Sequence, residues 1–332
     1  MTQSIQNVLV LGANGRFGQH AALALAAAGW RVFAHIRASK ELSTALADHP
    51  NIRAVKFDLE GDALSAIAGK CAVIVNGLHP PYAKWRTAVP QLTRAVLGLA
   101  RKSGATVIVP GNVYNFGENM PELLTSATPQ QPSNHLGEIR RDMEHQYRQA
   151  AEQGVRTIVL RIGDFLQREA TGNWFDTHMT GGLSKGHFAY PGRRDIAHAF
   201  GYLPDVGRAC VALAEIRSDL PAFVDIPFEG TTLSGDQLQR LIERVMGRNL
   251  KKRRIPWLII RLLALFNKDM RGVVDMRYLW EVPHRMSGDE LRRWLPDFRP
   301  TPVEQIVADC VSRHMPVEPQ AADLHQALAV RN

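Results

Sequence analysis

The residues whose spacing best suits binding chemistry are three glycines near the start of the chain, Gly12, Gly15 and Gly18. Gly12 lets the chain turn sharply. Gly15 has no Cβ, so backbone can approach a phosphate, and Gly18 lets a helix pack close to a sheet. A helix N-terminus at this point offers unpaired N–H groups and a partial positive charge. The pattern favours a pyrophosphate site over a tight turn without a ligand.

The elements around these glycines are those that such a site needs. Residues 8–11 form an apolar run typical of a buried parallel strand, and residues 21–28 are rich in Ala and Leu, which favour a helix. Strand, glycine turn and helix together predict a dinucleotide-binding unit. The predicted cofactor contacts in the turn are Gly12, Ala13, Asn14, Gly15, Arg16, Phe17 and Gly18.

The end of the second predicted strand, residues 31–36, bears on the choice of dinucleotide. Many NAD-binding units carry an acidic residue there, which bonds the ribose hydroxyls. Here Ile36 is followed by Arg37, whose guanidinium can form a fork of charge-assisted bonds to a 2′-phosphate. The sequence therefore favours NADP(H), with NAD(H) as the alternative. A solvated loop residue is the other interpretation of Arg37.

Four more apolar runs, residues 52–57, 72–75, 106–109 and 154–160, complete six predicted strands that alternate with helices. This alternation predicts an α/β fold with a doubly wound parallel sheet of the Rossmann type. Ligands lie at the carboxyl ends of strands in such sheets. Small and polar residues follow the fourth strand at that edge, and the predicted cofactor contacts there are Asn76 and Gly77.

Further motifs follow in order: Val-Tyr with a later glycine in residues 113–117, Leu-Arg-Ile-Gly in 160–163, and Tyr-Leu-Pro-Asp-Val in 202–206. With the Gly-x-x-Gly-x-x-Gly turn, they make the chain resemble the extended and atypical short-chain dehydrogenase/reductases, including the NAD-dependent epimerase/dehydratase group. The resemblance implies an NAD(P)-binding Rossmann domain over residues 1–165, to which some later segments return. Residues 166–332 would form a smaller, mostly helical C-terminal substrate lobe.

The resemblance also implies further cofactor contacts at strand ends. Asp58 and Leu59 are similar to the pair that caps the adenine pocket, although Asp58 could equally begin a turn. It further implies a homodimer that pairs through helices at residues 89–101 and 138–151. The remaining implied cofactor contacts, after the fifth and sixth strands, are Pro110, Gly111, Arg161 and Gly163.

The catalytic residues of that superfamily are not matched. Its Ser or Thr polarises the carbonyl, and a Tyr-x-x-x-Lys pair moves the proton and holds the nicotinamide ribose. Here the Ser position falls within residues 110–112, which carry no hydroxyl side chain. The Tyr position falls on His135 and the Lys position on Ile139, and no Tyr-x-x-x-Lys occurs anywhere in the chain.

Two residues are candidates for the missing acid–base group. His135 has an imidazole, which titrates near neutral pH, but it could instead be a helix-start or surface residue. Tyr114 could donate a proton, or it could be a core aromatic at a strand end. Arg140, beside Ile139, could replace the lysine at the ribose.

In the lobe, the predicted substrate-cleft residues are Trp174, His178, His198 and Tyr202.

Three functions remain open from these residues. The favoured one is an NAD(P)(H)-dependent oxidoreductase that acts on a small carbonyl-type substrate with a non-standard acid or base. The second is a catalytically inactive dinucleotide sensor. The third is a partner or assembly role through residues 251–266.

The segment of residues 79–85 has a mixed composition. It either forms a wall of the substrate pocket or is a loop that its prolines make rigid.

Composition limits the partners and the compartment. The 332 residues are 45% hydrophobic and 22% charged, with three scattered cysteines that lack redox or metal-ligand spacing. We expect a cytoplasmic protein with no metal site and no signal peptide. The net charge of +8 is spread among acids, so no nucleic-acid partner is predicted.

The longest apolar run, residues 256–266, is short and contains Arg261, so no membrane span is predicted. It follows four consecutive cations, residues 251–254. Such a stretch could lie on a membrane surface. The sequence favours a solvated turn before a packed helix, and no membrane partner is expected.

Overall fold

A computed structural model describes residues 5–315 of the chain, and this part contains fourteen strands and eleven α-helices. For residues 316–332 the sequence predicts a partly disordered tail or a docking helix, and these residues lie outside the described part of the chain. The strands are β1 (Asn7–Leu11), β2 (Arg31–His35), β3 (Ile52–Val55), β4 (Val73–Asn76), β5 (Thr106–Gly111), β6 (Leu123–Leu124), β7 (Thr157–Arg161), β8 (Asp164–Leu166), β9 (His187–Tyr190), β10 (His198–Tyr202), β11 (Phe223–Pro227), β12 (Thr231–Leu233), β13 (Lys251–Arg254) and β14 (Arg285–Met286). The helices are α1 (Arg16–Ala27), α2 (Thr44–Ala47), α3 (Asp62–Ala68), α4 (Trp85–Ser103), α5 (His135–Ala151), α6 (Leu203–Glu215), α7 (Gly235–Met246), α8 (Trp257–Ala264), α9 (Lys268–Asp275), α10 (Asp289–Trp294) and α11 (Val303–Val311).

The main sheet has seven strands in the order β11-β7-β5-β4-β1-β2-β3, and every neighbouring pair is parallel. The strand order reverses between β1 and β4, which is the switch point where ligands bind in such sheets. The predicted Rossmann-type sheet is therefore confirmed. Its six predicted strands are present, and β11 is the one that the sequence did not predict.

Alternate residues of β1 enter two different hydrophobic cores, as the two-residue period of a strand requires. Val8 and Val10 pack in the core beneath α1 and α6. Leu9 and Leu11 pack in the core beneath α3, α4 and α5. Fully burying one such side chain contributes about 2 kcal/mol, so the central strand is strongly held in register.

A third core builds the C-terminal lobe around Trp280, which is 2% exposed. It joins α7 and α11 to β9 and to β10, the middle strand of the sheet β12-β10-β8. Two later segments, α6 and β11, pack in the layers of the main sheet instead of in this lobe. The domain division at residue 165 stays a prediction.

Segment 251–266 differs from its prediction. Residues 251–254 form β13, a strand parallel to β9, where a turn was expected. The following helix, α8, was expected to pack, but Ala264 is its only buried residue. No helix among residues 5–315 is long and apolar enough to cross a membrane.

A buried ion network joins α5, β7 and β11 through Arg161. The guanidinium donates to Glu144 Oε2 at 2.6 Å, to Asp225 Oδ2 at 2.5 Å and to the carbonyl of Asn112 at 2.6 Å. Burial alone would raise the pKa of Glu144, but the charge and hydrogen bonds of Arg161 outweigh it and lower that pKa. Burial raises the pKa of Asp225, which shares the same cation with Glu144.

Removal of this cation tests how far the fold depends on the network. Arg161→Met leaves two buried carboxylates unpaired, so we expect it to lower the free energy of unfolding by about 3–5 kcal/mol in urea titrations. Arg141→Met is the control, because its ion pair with Asp142 is exposed and such pairs contribute about 0–1 kcal/mol. Equal losses for the two variants would contradict this account.

Candidate functional site

The glycine turn is held by direct contact between backbones. Gly12 has φ +69°, in the left-handed region, and a Cβ on it would lie 2.7 Å from the carbonyl oxygen of Gly77. A Cβ on Gly18 would collide with the carbonyl of Gly12. The Gly77 N–H donates to the Leu11 carbonyl at 2.8 Å. The ends of β1 and β4 and the start of α1 therefore meet without intervening side chains.

The N-terminus of α1 fits a bound pyrophosphate. Gly15 is the N-cap, no side chain caps the first turn, and that turn contains no acidic residue. The first N–H groups of the helix and its positive dipole end are thus left without a protein anion or side-chain acceptor. A phosphate is the ligand that such an end binds best. The residues present fit a dinucleotide cofactor.

The other residues of the turn hold it to its neighbours. The Ala13 N–H donates to the His35 carbonyl at 3.1 Å, and Phe17 is buried in the core. The Asn14 side chain bonds the loop after β2, donating to the Glu41 carbonyl at 2.7 Å. Arg16 reaches the other way and donates to Thr171 through Nε and Nη2, both at 2.8 Å. The predicted roles of these side chains at the cofactor stay predictions.

Arg37 lies in the turn after β2 and is exposed, as is Lys40, whose N–H donates to the Arg37 carbonyl. Neither side chain has an ion pair within residues 5–315, so both are available to a phosphate. After β3, the Asp58 carbonyl accepts from the Gly61 N–H at 3.1 Å in a turn, and Leu59 packs against the second core. This geometry supports the turn-start interpretation of Asp58.

At the ends of β5 and β7, Arg161 corrects a sequence expectation. Its side chain is fully buried and every N–H faces Glu144, Asp225 or the Asn112 carbonyl, so no donor remains for a cofactor. Packing also explains two of the predicted contacts. A Cβ on Gly163 would collide with Ala199, and one on Gly111 would lie 2.8 Å from a Val159 methyl group.

The side chain of Asn76 also points into the protein. Its amide donates to the Tyr147 hydroxyl at 3.0 Å, and its carbonyl accepts from the Leu78 N–H at 3.2 Å. Asn76 therefore fixes the loop that leaves β4. At this strand end the Gly77 backbone and the loop that follows remain available to a cofactor.

Two tyrosine hydroxyls meet at the carboxyl edge of the sheet. The hydroxyl of Tyr82, in the loop after β4, lies 2.8 Å from that of Tyr114, in the loop after β5. Both side chains are half-buried, and buried Trp85 supports both rings, at centroid distances of 5.0 and 6.2 Å. The sequence predicted Tyr114 but missed Tyr82, although it marked segment 79–85 as a candidate pocket wall.

The electrostatic surroundings keep both hydroxyls protonated at neutral pH. Burial raises the pKa of Tyr82, the hydrogen bond from Tyr114 opposes this rise, the charge of Asp164 adds to it, and the charges of Arg16 and Arg140 oppose it. Burial also raises the pKa of Tyr114 well above its ordinary value, and Tyr82 and Asp164 raise it further. Of the two phenolates, that of Tyr82 is therefore the better stabilised.

His79 lies beside Tyr82 and Trp85 as a neutral imidazole. Its side chain reaches solvent but is ringed by protein. Loss of surrounding water and the positive charges of Arg140 and Arg16 lower its pKa to about 4. Its ring packs edge-on against Trp85 with centroids 5.2 Å apart. At neutral pH it can orient a substrate but holds no proton to donate as a cation.

The α5 helix turns a different face to the sheet than the sequence predicted. His135, its first residue, places Nδ1 3.8 Å from Asp275 Oδ2. The buried face instead carries Leu136 and Arg140, four residues apart, and Arg140 donates to the Pro110 carbonyl. Leu136 and Arg140 therefore face the sheet, and the placing of the Tyr and Lys positions at His135 and Ile139 stays a prediction.

The expected substrate-cleft residues of the lobe are mostly packed. His198 is fully buried, stacks on Trp280 with centroids 3.9 Å apart, and lies 2.7 Å from Asp164 Oδ2 through Nε2. The Tyr202 hydroxyl donates to Asp309 at 2.7 Å. Neither residue is free to line a cleft. Trp174 packs on both His178 and Trp257, at centroid distances of 4.8 and 5.7 Å.

Comparison with known proteins decides the family. A sequence profile described as NAD(P)H-binding matches residues 12–200, which is more than half of the chain and includes the glycine turn, the tyrosine pair and α5. The chain belongs to the NAD(P)H-binding family. No curated protein sequence matches it.

Solved structures share the fold of this NAD(P)H-binding chain. A provisionally named epimerase from Burkholderia cenocepacia J2315 superposes with a TM-score of 0.74 at 17% identity, covering 95% of this chain and 99% of that one. The UDP-glucose-4-epimerase of Stenotrophomonas maltophila, with bound NAD, gives 0.72 at 13% identity over 98% and 100%. A UDP-N-acetylglucosamine 4-epimerase from Methanobrevibacter ruminantium M1 gives 0.70 at 16% over 93% and 98%. The profile match confirms the predicted NAD(P)-binding family, and the solved structures confirm the predicted resemblance to the epimerase/dehydratase group in fold.

The stability of the fold also depends on pH through His284, a buried histidine whose ring centroid lies 4.5 Å from that of His198. Burial and the nearby His198 lower the pKa of His284 to about 3. The unfolded chain therefore takes up a proton below about pH 6.5 that the folded chain refuses. We expect the free energy of unfolding to fall by about 2 kcal/mol more between pH 6.5 and 5 in the wild type than in His284→Gln. Equal pH slopes in urea titrations would contradict this.

Proposed function

We propose that this protein is an NADP(H)-dependent oxidoreductase that reduces a small carbonyl-type substrate, with the Tyr82–Tyr114 pair as its proton source. The observation that carries the proposal is the 2.8 Å contact between two half-buried hydroxyls at the carboxyl edge of the sheet. This edge, beside the switch point, is where a cofactor held by the glycine turn would lie.

The glycine turn and Arg37 would hold the cofactor by its phosphates. Gly12 and Gly18 admit the pyrophosphate to the N-terminus of α1, and Arg37 offers a guanidinium to a 2′-phosphate. The bound cofactor supplies the hydride. Arg140, beside the expected lysine position at Ile139, supplies a positive charge on the buried face of α5. These residues would orient the cofactor. A separate group must donate a proton to the substrate oxygen.

Tyr82 is suited to donate that proton to the substrate oxygen. Its raised pKa keeps it protonated at neutral pH, and an alkoxide is far more basic than a phenolate, so the transfer is downhill. Tyr114 can then donate a hydrogen bond to the phenolate oxygen, and Arg16 and Arg140 stabilise its charge. Because the resting pair is neutral, the arrangement favours reduction of a carbonyl over oxidation of an alcohol.

The absence of the superfamily's usual catalytic residues bears on the substrate class. Two of the structural relatives carry the names of UDP-sugar epimerases. This chain has no Ser at the end of β5 and no Tyr-x-x-x-Lys on α5, and His135 stands at the expected tyrosine position. We therefore favour a small aldehyde, ketone or enone over a sugar nucleotide.

A catalytically inactive NAD(P) sensor is the second candidate, and the absence of a Tyr-x-x-x-Lys pair from the sequence is the observation that favours it. A sensor has no need for polar groups that reach solvent beside the nicotinamide. His79 is exposed and both tyrosines of the pair are half-buried, which favours the enzyme. Tight NADPH binding with no turnover on any carbonyl or enone would favour the sensor.

Arg37→Ala tests the preference for the phosphorylated dinucleotide. Loss of the charge-assisted bonds should weaken NADPH binding by about 10- to 100-fold and leave NADH binding nearly unchanged in calorimetric titrations. Arg31→Ala is the matched control, because Arg31 is exposed on the same strand but at its amino end. Equal weakening for the two dinucleotides would remove the 2′-phosphate argument.

Tyr82→Phe tests the proton donor. Because general acid catalysis contributes about 10²–10⁴-fold, we expect this variant to lower kcat within that range while NADPH affinity stays unchanged. Tyr114→Phe should lower kcat less, since Tyr114 acts through Tyr82. Stopped-flow oxidation of bound NADPH with a panel of aldehydes, ketones and enones measures both.

The control for this series is Tyr202→Phe, whose hydroxyl bonds Asp309 in the lobe. It should retain the wild-type kcat. Retention of the wild-type kcat by Tyr82→Phe as well would eliminate Tyr82 as the donor.

A further inference from the structure

Helix α8 and the two residues after it expose an apolar surface. Leu258 is 73% exposed and Phe266 is 92% exposed. A contiguous apolar surface of this kind marks an interaction or membrane site. We call residues 257–266 the apolar ridge, and its other side chains that are more than half exposed are Ile259, Leu262, Leu263 and Leu265.

Cations flank the apolar ridge on both sides along the chain. Residues 251–277 contain eight Lys and Arg against two Asp. All four residues of β13, which leads into the ridge, are exposed. Many of these charges are free to meet an anionic partner. Those that are exposed and have no ion pair within the described part of the chain are Lys251, Arg254, Arg261, Lys268 and Arg271.

We propose that the apolar ridge and its flanking cations dock on the surface of an anionic lipid bilayer. Exposed Leu, Ile and Phe side chains would enter the boundary between headgroups and acyl chains, and the cations would meet the lipid phosphates. The eight residues of α8 are too few to cross a bilayer, so the helix lies in the interface.

Charge complementarity selects the bilayer over a second copy of this chain. In a two-fold dimer built on the ridge, the same surface faces itself. The positive charges of β13 and Arg261 would then oppose identical charges in a desolvated contact, which is unfavourable. A bilayer that contains acidic lipids offers both an apolar layer and the opposite charge.

The ridge is rigidly held at its base. The Trp257 indole N–H donates to the Pro191 carbonyl at 2.6 Å, and the Arg277 guanidinium lies 5.0 Å from the centre of the Trp257 ring system. The adjoining α9 helix contacts the cleft wall, because Asp269 Oδ1 accepts from the Ala83 N–H at 2.9 Å. The docking surface is thus continuous with the wall that carries Tyr82.

Co-sedimentation of the full chain with lipid vesicles tests the proposal. We expect binding to vesicles of mixed phosphatidylcholine and phosphatidylglycerol that weakens as salt rises, and much weaker binding to phosphatidylcholine alone. Leu258→Ser with Phe266→Ser should weaken binding on the order of tenfold or more. Lys251→Glu with Arg254→Glu should weaken it by roughly 25-fold or more, at about fivefold per cation.

Matched controls separate the ridge from general effects of charge or polarity. Lys70→Glu with Lys102→Glu changes the same net charge at exposed sites on other helices and loops, and Ile5→Ser removes an exposed apolar side chain elsewhere. Both controls should bind mixed vesicles like the wild type. Wild-type protein that stays in solution with the mixed vesicles at low salt would overturn the proposal. So would a wild-type dimer that Leu258→Ser with Phe266→Ser converts to a monomer while neither binds vesicles.

Discussion

Direct contact between the backbones of Gly12, Gly18 and Gly77 is the constraint on which the rest of the site depends. Gly77 directly follows β4, so its contact with Gly12 fixes where the next loop leaves the sheet. That loop carries His79 and Tyr82. The same contact therefore shapes the phosphate-binding turn and sets the position of the hydroxyl pair relative to it. A side chain at any of these glycines would force the two apart.

The parts of this arrangement that could be predicted are local in the sequence. The apolar run of β1, the glycines and the Ala-rich α1 lie within one short stretch, and their spacing alone predicts the turn. The strand β11 was missed because Asp225 interrupts its apolar run, and only the distant Arg161 makes that carboxylate tolerable in a core. Likewise, the meeting of Tyr82 with Tyr114 depends on β4 and β5 being neighbours, which no local pattern contains.

Two further features could not be predicted from the sequence: which face of α5 is buried, and whether the apolar side chains of α8 are covered. His135 and Leu136 are neighbours in the sequence, yet on a helix the side chains of two successive residues point about a quarter of a turn apart. Only the packing of α5 on the sheet shows that Leu136 and Arg140 face inward. The apolar run of α8 was expected to be covered, because apolar residues usually are. Composition says how apolar a helix is, but the neighbouring elements decide whether anything covers it.

The central claim is that the glycine turn binds a dinucleotide, and calorimetric titration with NADPH tests this most directly. The wild type and Gly98→Ala, where an added Cβ meets no atom within 4 Å, should bind about one NADPH per chain. Gly12→Ala should lose binding, because its Cβ would lie 2.7 Å from the Gly77 carbonyl oxygen. No heat of binding for folded wild-type protein with NADPH or NADH would mean that the glycines serve packing alone, and would contradict the account.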